Sequence, residues 1–107
     1  MYDCKDLYAK IKRIADAYGY GLQTRQCMEE LGELAQAINK HYKYVNALPF
    51  GGEDMACECR NRVIDEIADV QIMLWQMSYF LNAGKEVTAT IAVKLQEAVE
   101  CLDDYVL

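Results

Sequence analysis

Two groups of carboxylates stand close together in this chain of 107 residues. Glu29, Glu30 and Glu33 lie in CMEELGELAQAINK, residues 27–40, and Glu66 and Asp69 lie in VIDEIADVQIMLWQM, residues 63–77. Both stretches have the apolar spacing of amphipathic helices. Glu30 and Glu33, and likewise Glu66 and Asp69, are therefore neighbours on a helix surface. A single ExxE pair is ordinarily a solvated face. These two pairs read differently when projected at about 100° per residue.

On the first helix Cys27, Leu31, Leu34, Ala35 and Ile38 form an apolar stripe. Gln23, Glu30, Ala37 and His41 follow one border of that stripe, with Glu33 a little further round. On the second helix Glu66 falls between the directions of Met73 and Met77, and Asp69 falls near that of Phe80. Beyond Val70 that helix is apolar nearly all round, which implies burial on several sides. Carboxylates at such a border cost several kcal/mol each, roughly, unless a proton, a cationic side chain or a metal neutralises them. Lys40 can neutralise one charge but not four. If the helices pack antiparallel, Glu30 and Glu33 face Glu66 and Asp69 in an oxygen-rich box suited to Mg²⁺, with Mn²⁺ as a substitute.

The elements that position these acids are four predicted helices, giving an all-α fold class in a single domain, residues 1–107. Asp3 caps a first helix to about Tyr18, which the glycines of YGYG, residues 18–21, terminate. The second helix runs from about Leu22 to Tyr44. Val45–Cys59, with the single proline and a Gly-Gly pair, reads as a long loop. The third helix spans about Arg60 to Leu81, with Asn82 and Gly84 as stop signals. The fourth spans about Val87 to Tyr105, with Ile91, Leu95, Ala98 and Leu102 on one face.

Composition narrows the partners. A net charge of −6 disfavours a phosphate-tracking surface, so nucleic acid is not expected. No 18-residue apolar run predicts a membrane span, and the charged N-terminus lacks the apolar core of a signal peptide, so a cytoplasmic location is expected. Five cysteines without paired CxxC spacing fit reduced thiols better than zinc. His41 is expected at a helix end rather than in catalysis, and Trp75 against a partner subunit. A third helix without a polar face cannot be hidden by so short a chain, which predicts a homodimer or homotetramer.

EELGE at Glu29–Glu33 followed by EIAD at Glu66–Asp69 resembles the EExxE…ExxD motif of the MazG-like all-α nucleoside triphosphate pyrophosphohydrolases. YGYGLQ, Tyr18 to Gln23, and INKHYK, Ile38 to Lys43, are similar to the flanking segments of that superfamily. The likeness spans about Tyr18 to Leu81, and more weakly VKLQE near Lys94. It implies a four-helix MazG-like bundle completed by oligomerisation. The implied activity is Mg²⁺-dependent cleavage of a (d)NTP between the α and β phosphates, giving (d)NMP and pyrophosphate, in nucleotide-pool control or house-cleaning.

Carried over residue by residue, the resemblance implies Glu30, Glu33, Glu66 and Asp69 as metal ligands. Glu29, the first acid of the motif, would orient or deprotonate the attacking water. Lys40, Lys43 and Lys94 are the implied phosphate contacts, and Gln23 contacts base or sugar. Glu97 stands where related proteins often carry arginine, which brings Arg60 and Arg62 forward as alternative phosphate contacts. The connection between the two acidic motifs is also longer than in compact members.

Two rival readings belong to other classes. One is a non-catalytic helical dimerisation module whose acids make structural ion pairs with Arg13, Lys40 or Arg62. The other is a di-iron bundle, disfavoured because His41 does not lie three residues after a glutamate.

Overall fold

The structure, a computed structural model, describes residues 3–46 and 53–105. These form four helices: α1 (Cys4–Tyr18), α2 (Tyr20–Asn46), α3 (Glu53–Phe80) and α4 (Gly84–Tyr105). No strand occurs among the described residues, in keeping with an all-α fold.

Helix α1 starts as its sequence predicts. The Asp3 carboxylate accepts a hydrogen bond from the backbone N–H of Lys5 at 3.0 Å and satisfies one of the free amides of the first turn. Its end is more abrupt than expected. Gly19 alone, at φ 85° and ψ 165°, separates α1 from α2. Its N–H donates to the Ala15 carbonyl at 2.8 Å, and its own carbonyl accepts from Gln23 at 3.1 Å. One residue thus closes one helix and opens the next, so α2 begins at Tyr20 rather than Leu22.

The long-loop reading of Val45–Cys59 needs correction at both ends. Val45 and Asn46 belong to α2, and Glu53–Cys59 forms the first two turns of α3. Residues 47–52 lie outside the described residues. Ala56 and Cys59 are buried and extend the packing face of α3, so tertiary burial outweighs the turn-rich composition nearby. At its other end α3 stops at Phe80. Ala83 N–H reaches the Ser78 carbonyl at 2.9 Å and Asn82 N–H the Tyr79 carbonyl at 3.0 Å, the paired bonds of a Schellman cap, with Asn82 at φ 51°. Gly84 does not stop α3 but is the first residue of α4, whose opening turn is bonded from Val87 N–H to the Ala83 carbonyl.

Helices α2 and α3 make the main packing unit. Their partners run in opposite directions, with Gln23 against Gln76 and Glu30 against Glu66 and Asp69. Buried or half-buried positions alternate by four and three along α2, at Gln23, Cys27, Glu30, Leu34, Ala37 and His41. Those of α3 follow the same rhythm through Cys59, Val63, Glu66, Val70 and Met73. This is the spacing of a coiled-coil seam. The face turned to α3 is therefore the border that carries Glu30, not the centre of the predicted stripe. Leu31 and Ile38 are about half exposed, and Ala35 is exposed.

Helix α1 packs on α3 through Ile11 and Ala15, and the Tyr79 hydroxyl donates to Asp16 at 2.6 Å. Helix α4 is different. Its described side chains, Ile91, Leu95, Ala98 and Leu102 among them, are all exposed. The chain exposes 8746 Å² and has a Cα radius of gyration of 17.7 Å. A compact monomer of this mass exposes roughly 6,100 Å², and one of this length has a radius of about 13 Å. Among the described residues no helix is long and apolar enough to cross a membrane.

Candidate metal centre

The seam brings three of the four predicted ligands together. Glu30, Glu66 and Asp69 each offer a carboxylate oxygen within 4.8 Å of the other two. Oxygens on opposite sides of one cation bound at about 2.0–2.6 Å are separated by a similar distance, so the set can converge on a single hard ion.

Each acid arrives by a local route. Glu30 occupies a seam position of α2, and its Oε1 accepts from Gln26 Nε2, one turn earlier, at 2.8 Å. Its Oε2 is buried and, among the described residues, has no hydrogen-bond partner. Glu66 occupies the facing seam position of α3 and is 3% exposed. Its Oε1 lies 2.8 Å from Arg62 Nε, an i, i+4 pair on the same helix. Its Oε2 is likewise buried without a partner among the described residues. Two orphaned carboxylate oxygens in one seam leave a costly desolvation unanswered by the protein's own donors. Three convergent carboxylates are a donor set that fits Mg²⁺ or Mn²⁺, either of which would offset that cost.

Asp69, one turn after Glu66, is exposed at the mouth of the cluster. Desolvation, and then the charges of Glu30 and Asp65, raise its pKa above the ordinary carboxylate value, against the opposing pull of Arg62. Glu33 is also exposed and stands outside the close trio. Its pKa is raised chiefly by the charge of Glu30 and then of Glu66, with Arg62 again opposing. The fourth predicted ligand thus shares the electrostatic field of the cluster and interacts with Glu30, without joining the mutually close trio. Glu29 is exposed on α2 and is not one of the trio.

Of the proposed phosphate contacts, Arg62 touches this chemistry directly through Glu66, and Lys40 lines the concavities beside it. Two adjoining concavities of about 310 and 210 Å³ are both lined by Ala37, Lys40 and Arg62, and the larger also by Glu33. Glu33 and two cations therefore line one groove between α2 and α3, and Arg62 links that groove to the trio through its ion pair with Glu66. Lys43, exposed near the end of α2, and Lys94, exposed on α4, line neither concavity. Gln23 is buried and donates from Nε2 to Gln76 Oε1 at 2.8 Å. His41 is half-buried.

Sequence reasoning passed over Gln26, Asp65 and Gln76. The first could have been found from its i, i+4 spacing to Glu30, the usual reach of a side-chain bond on one helix. Gln76 had no such signal, because its partner comes from another helix. Comparison with protein-family models, with curated proteins and with solved structures finds no match to the chain.

Proposed function

We propose that this chain is a Mg²⁺-dependent nucleoside triphosphate pyrophosphohydrolase, with Mn²⁺ able to substitute. The observation that carries this reading is that Glu30 and Glu66, each with a buried oxygen that has no hydrogen-bond partner among the described residues, converge with Asp69 across the α2–α3 seam. The EExxE…ExxD resemblance supplies the reaction class. Water attacks the α phosphorus, the bond from that phosphorus to the bridging oxygen breaks, and pyrophosphate leaves with a nucleoside monophosphate.

In this reading Glu30, Glu66 and Asp69 hold the ion from two helices, and Glu33 completes the acidic field at the mouth. When bound, Mg²⁺ supplies charge neutralisation and polarisation of the phosphoryl oxygens. Lys40 and Arg62 hold the triphosphate in the adjoining groove, where positioning and charge compensation provide most of the rate enhancement. Glu29 orients or deprotonates the attacking water. The burial of Gln23 favours a place in the seam over contact with a base or sugar, while Lys43, one turn beyond Lys40, and Lys94 on α4 stay as further phosphate contacts in this reading.

That second copy is part of the proposal. The exposed apolar face of α4, the half-exposed Leu31, Ile38, Leu74 and Trp75, and the surface in excess of a compact monomer support a homodimer or homotetramer. The rival reading, a non-catalytic dimerisation module, is favoured by the Arg62–Glu66 ion pair. One guanidinium, however, stands against four carboxylates.

The test is to incubate purified protein with a panel of ribo- and deoxyribonucleoside triphosphates and Mg²⁺. Pyrophosphate release by the wild type, lost in Glu66→Gln and Glu33→Gln, is the expected result. Release of orthophosphate alone, or no release from any nucleotide, overturns the assignment.

A further inference from the structure

We propose that the buried amide pair Gln23–Gln76 is a register lock that positions the carboxylates. The inference rests on the metal-binding reading for its consequence but not for its geometry. Gln76 is 1% exposed and Gln23 8%, and they are joined by a 2.8 Å hydrogen bond from Gln23 Nε2 to Gln76 Oε1. Gln76 Nε2 turns to Met73 Sδ at 3.6 Å, a weak acceptor, so the strong partner of each amide in this pair is the other.

The position of the pair gives it leverage. Glu30 follows Gln23 by seven residues, and Asp69 precedes Gln76 by seven. In an antiparallel seam the amides and the acids are thus opposed in the same way, one heptad apart, or about 10.5 Å along the helices. Much of the intervening seam is adaptable. Cys27 is small and Met73 flexible, with Val70 the one branched side chain buried between the amides and the acids, and beyond the acids Ala37, Ala56 and Cys59 are again small, so apolar packing alone discriminates poorly between the native alignment and one shifted by a turn. Two buried amides discriminate further, because a shift of one turn breaks their mutual bond and sets Gln23 against the apolar side chains near Met73 or Phe80. A polar residue at a seam position fixing helix alignment is the best-attested use of a buried polar group. A turn of slippage moves Glu30 by roughly 5 Å relative to Glu66 and Asp69, enough to dissolve the trio. Gln23 and Gln76 are therefore positioning residues.

The experiment replaces both amides with apolar side chains, as Gln23→Leu/Gln76→Leu and, closer in shape, Gln23→Met/Gln76→Met. Alignment is read by NMR in metal-free protein, through the cross-peak between the Thr24 γ-methyl and the Met77 ε-methyl, whose Oγ1 and Sδ atoms lie 3.7 Å apart. Wild type should show one such cross-peak. The double variants should stay folded, lose that peak or give several Met77 signals, and bind Mn²⁺ at least about tenfold more weakly, on the scale of lost support around a metal site. A single native cross-peak in a folded double variant overturns the lock whatever the metal result. Failure of both double variants to fold also overturns it, since the pair would then supply stability rather than alignment. If wild type itself binds no Mn²⁺, the metal reading falls, while the cross-peak still decides the lock.

Discussion

Glu66 concentrates the conflict at the residue scale. It is almost fully buried, faces Glu30 and Asp69, and among the described residues has a single cation, Arg62, on one of its oxygens. Replacing it by Gln keeps the shape and removes one of the mutually repelling charges. Metal-free Glu66→Gln should therefore melt at or a few degrees above the wild type, a change worth about 1 kcal/mol, while losing metal-dependent stabilisation. Gln26→Ala acts one step further out. It frees Glu30 Oε1 from its only orienting bond among the described residues, and should weaken Mn²⁺ binding by about tenfold, measured by titration calorimetry. Most of this centre is readable in the sequence, because ExxE and ExxD spacings place acids on one helical edge and Arg62 precedes Glu66 by one turn. The Gln23–Gln76 contact is not readable. Periodicity reports which residues share a face, but not which residues on two different helices meet, and Gln76 stands alone in an apolar run.

The elements show where local and tertiary signals part. The start of α1, the break at Gly19 and the four-helix count follow from capping and glycine chemistry, and the structure retains them. The start of α3 does not follow, because Pro49, Gly51 and Gly52 dominate the composition of a segment whose second half nevertheless belongs to the seam. The packing face of α2 departs from the predicted stripe for a related reason. Its apolar stripe is wide, and only the edge carrying Glu30 meets α3, while Leu31 and Ile38 remain half exposed. Gly19 provides the sharpest test at this scale. Its φ of 85° with ψ of 165° lies in a region essentially reserved for glycine, although a Cβ there would meet nothing within 4 Å. Gly19→Ala should therefore destabilise the protein by about 1–3 kcal/mol through backbone strain alone, measured by urea denaturation. A neutral substitution would show that the α1–α2 junction relaxes freely.

For the whole molecule, an α4 with every described side chain exposed and a surface well above that of a compact monomer predict association in solution. Light scattering coupled to size exclusion should give at least twice the 12.2 kDa chain mass, and Leu95→Asp on the exposed face of α4 should lower it. The pH dependence of stability reports the acidic cluster. Asp69 and Glu33 have pKa values raised above 3.8 and 4.5, so the folded state holds their protons more tightly than the unfolded chain. Their contribution to stability is full below those ordinary values and is lost as pH rises through the raised ones. A bound cation reverses that trend, because its ligands must be deprotonated. The most direct measurement is thermal unfolding of chelator-treated protein, with and without Mn²⁺, between about pH 5 and pH 8. The expected result is that Mn²⁺ at a hundredfold excess over its Kd raises the Tm by roughly 10 °C near pH 8, by less near pH 5, and not at all in Glu66→Gln. A Tm that ignores Mn²⁺ at every pH, or a shift that survives in Glu66→Gln, would contradict a cation held between Glu30, Glu66 and Asp69.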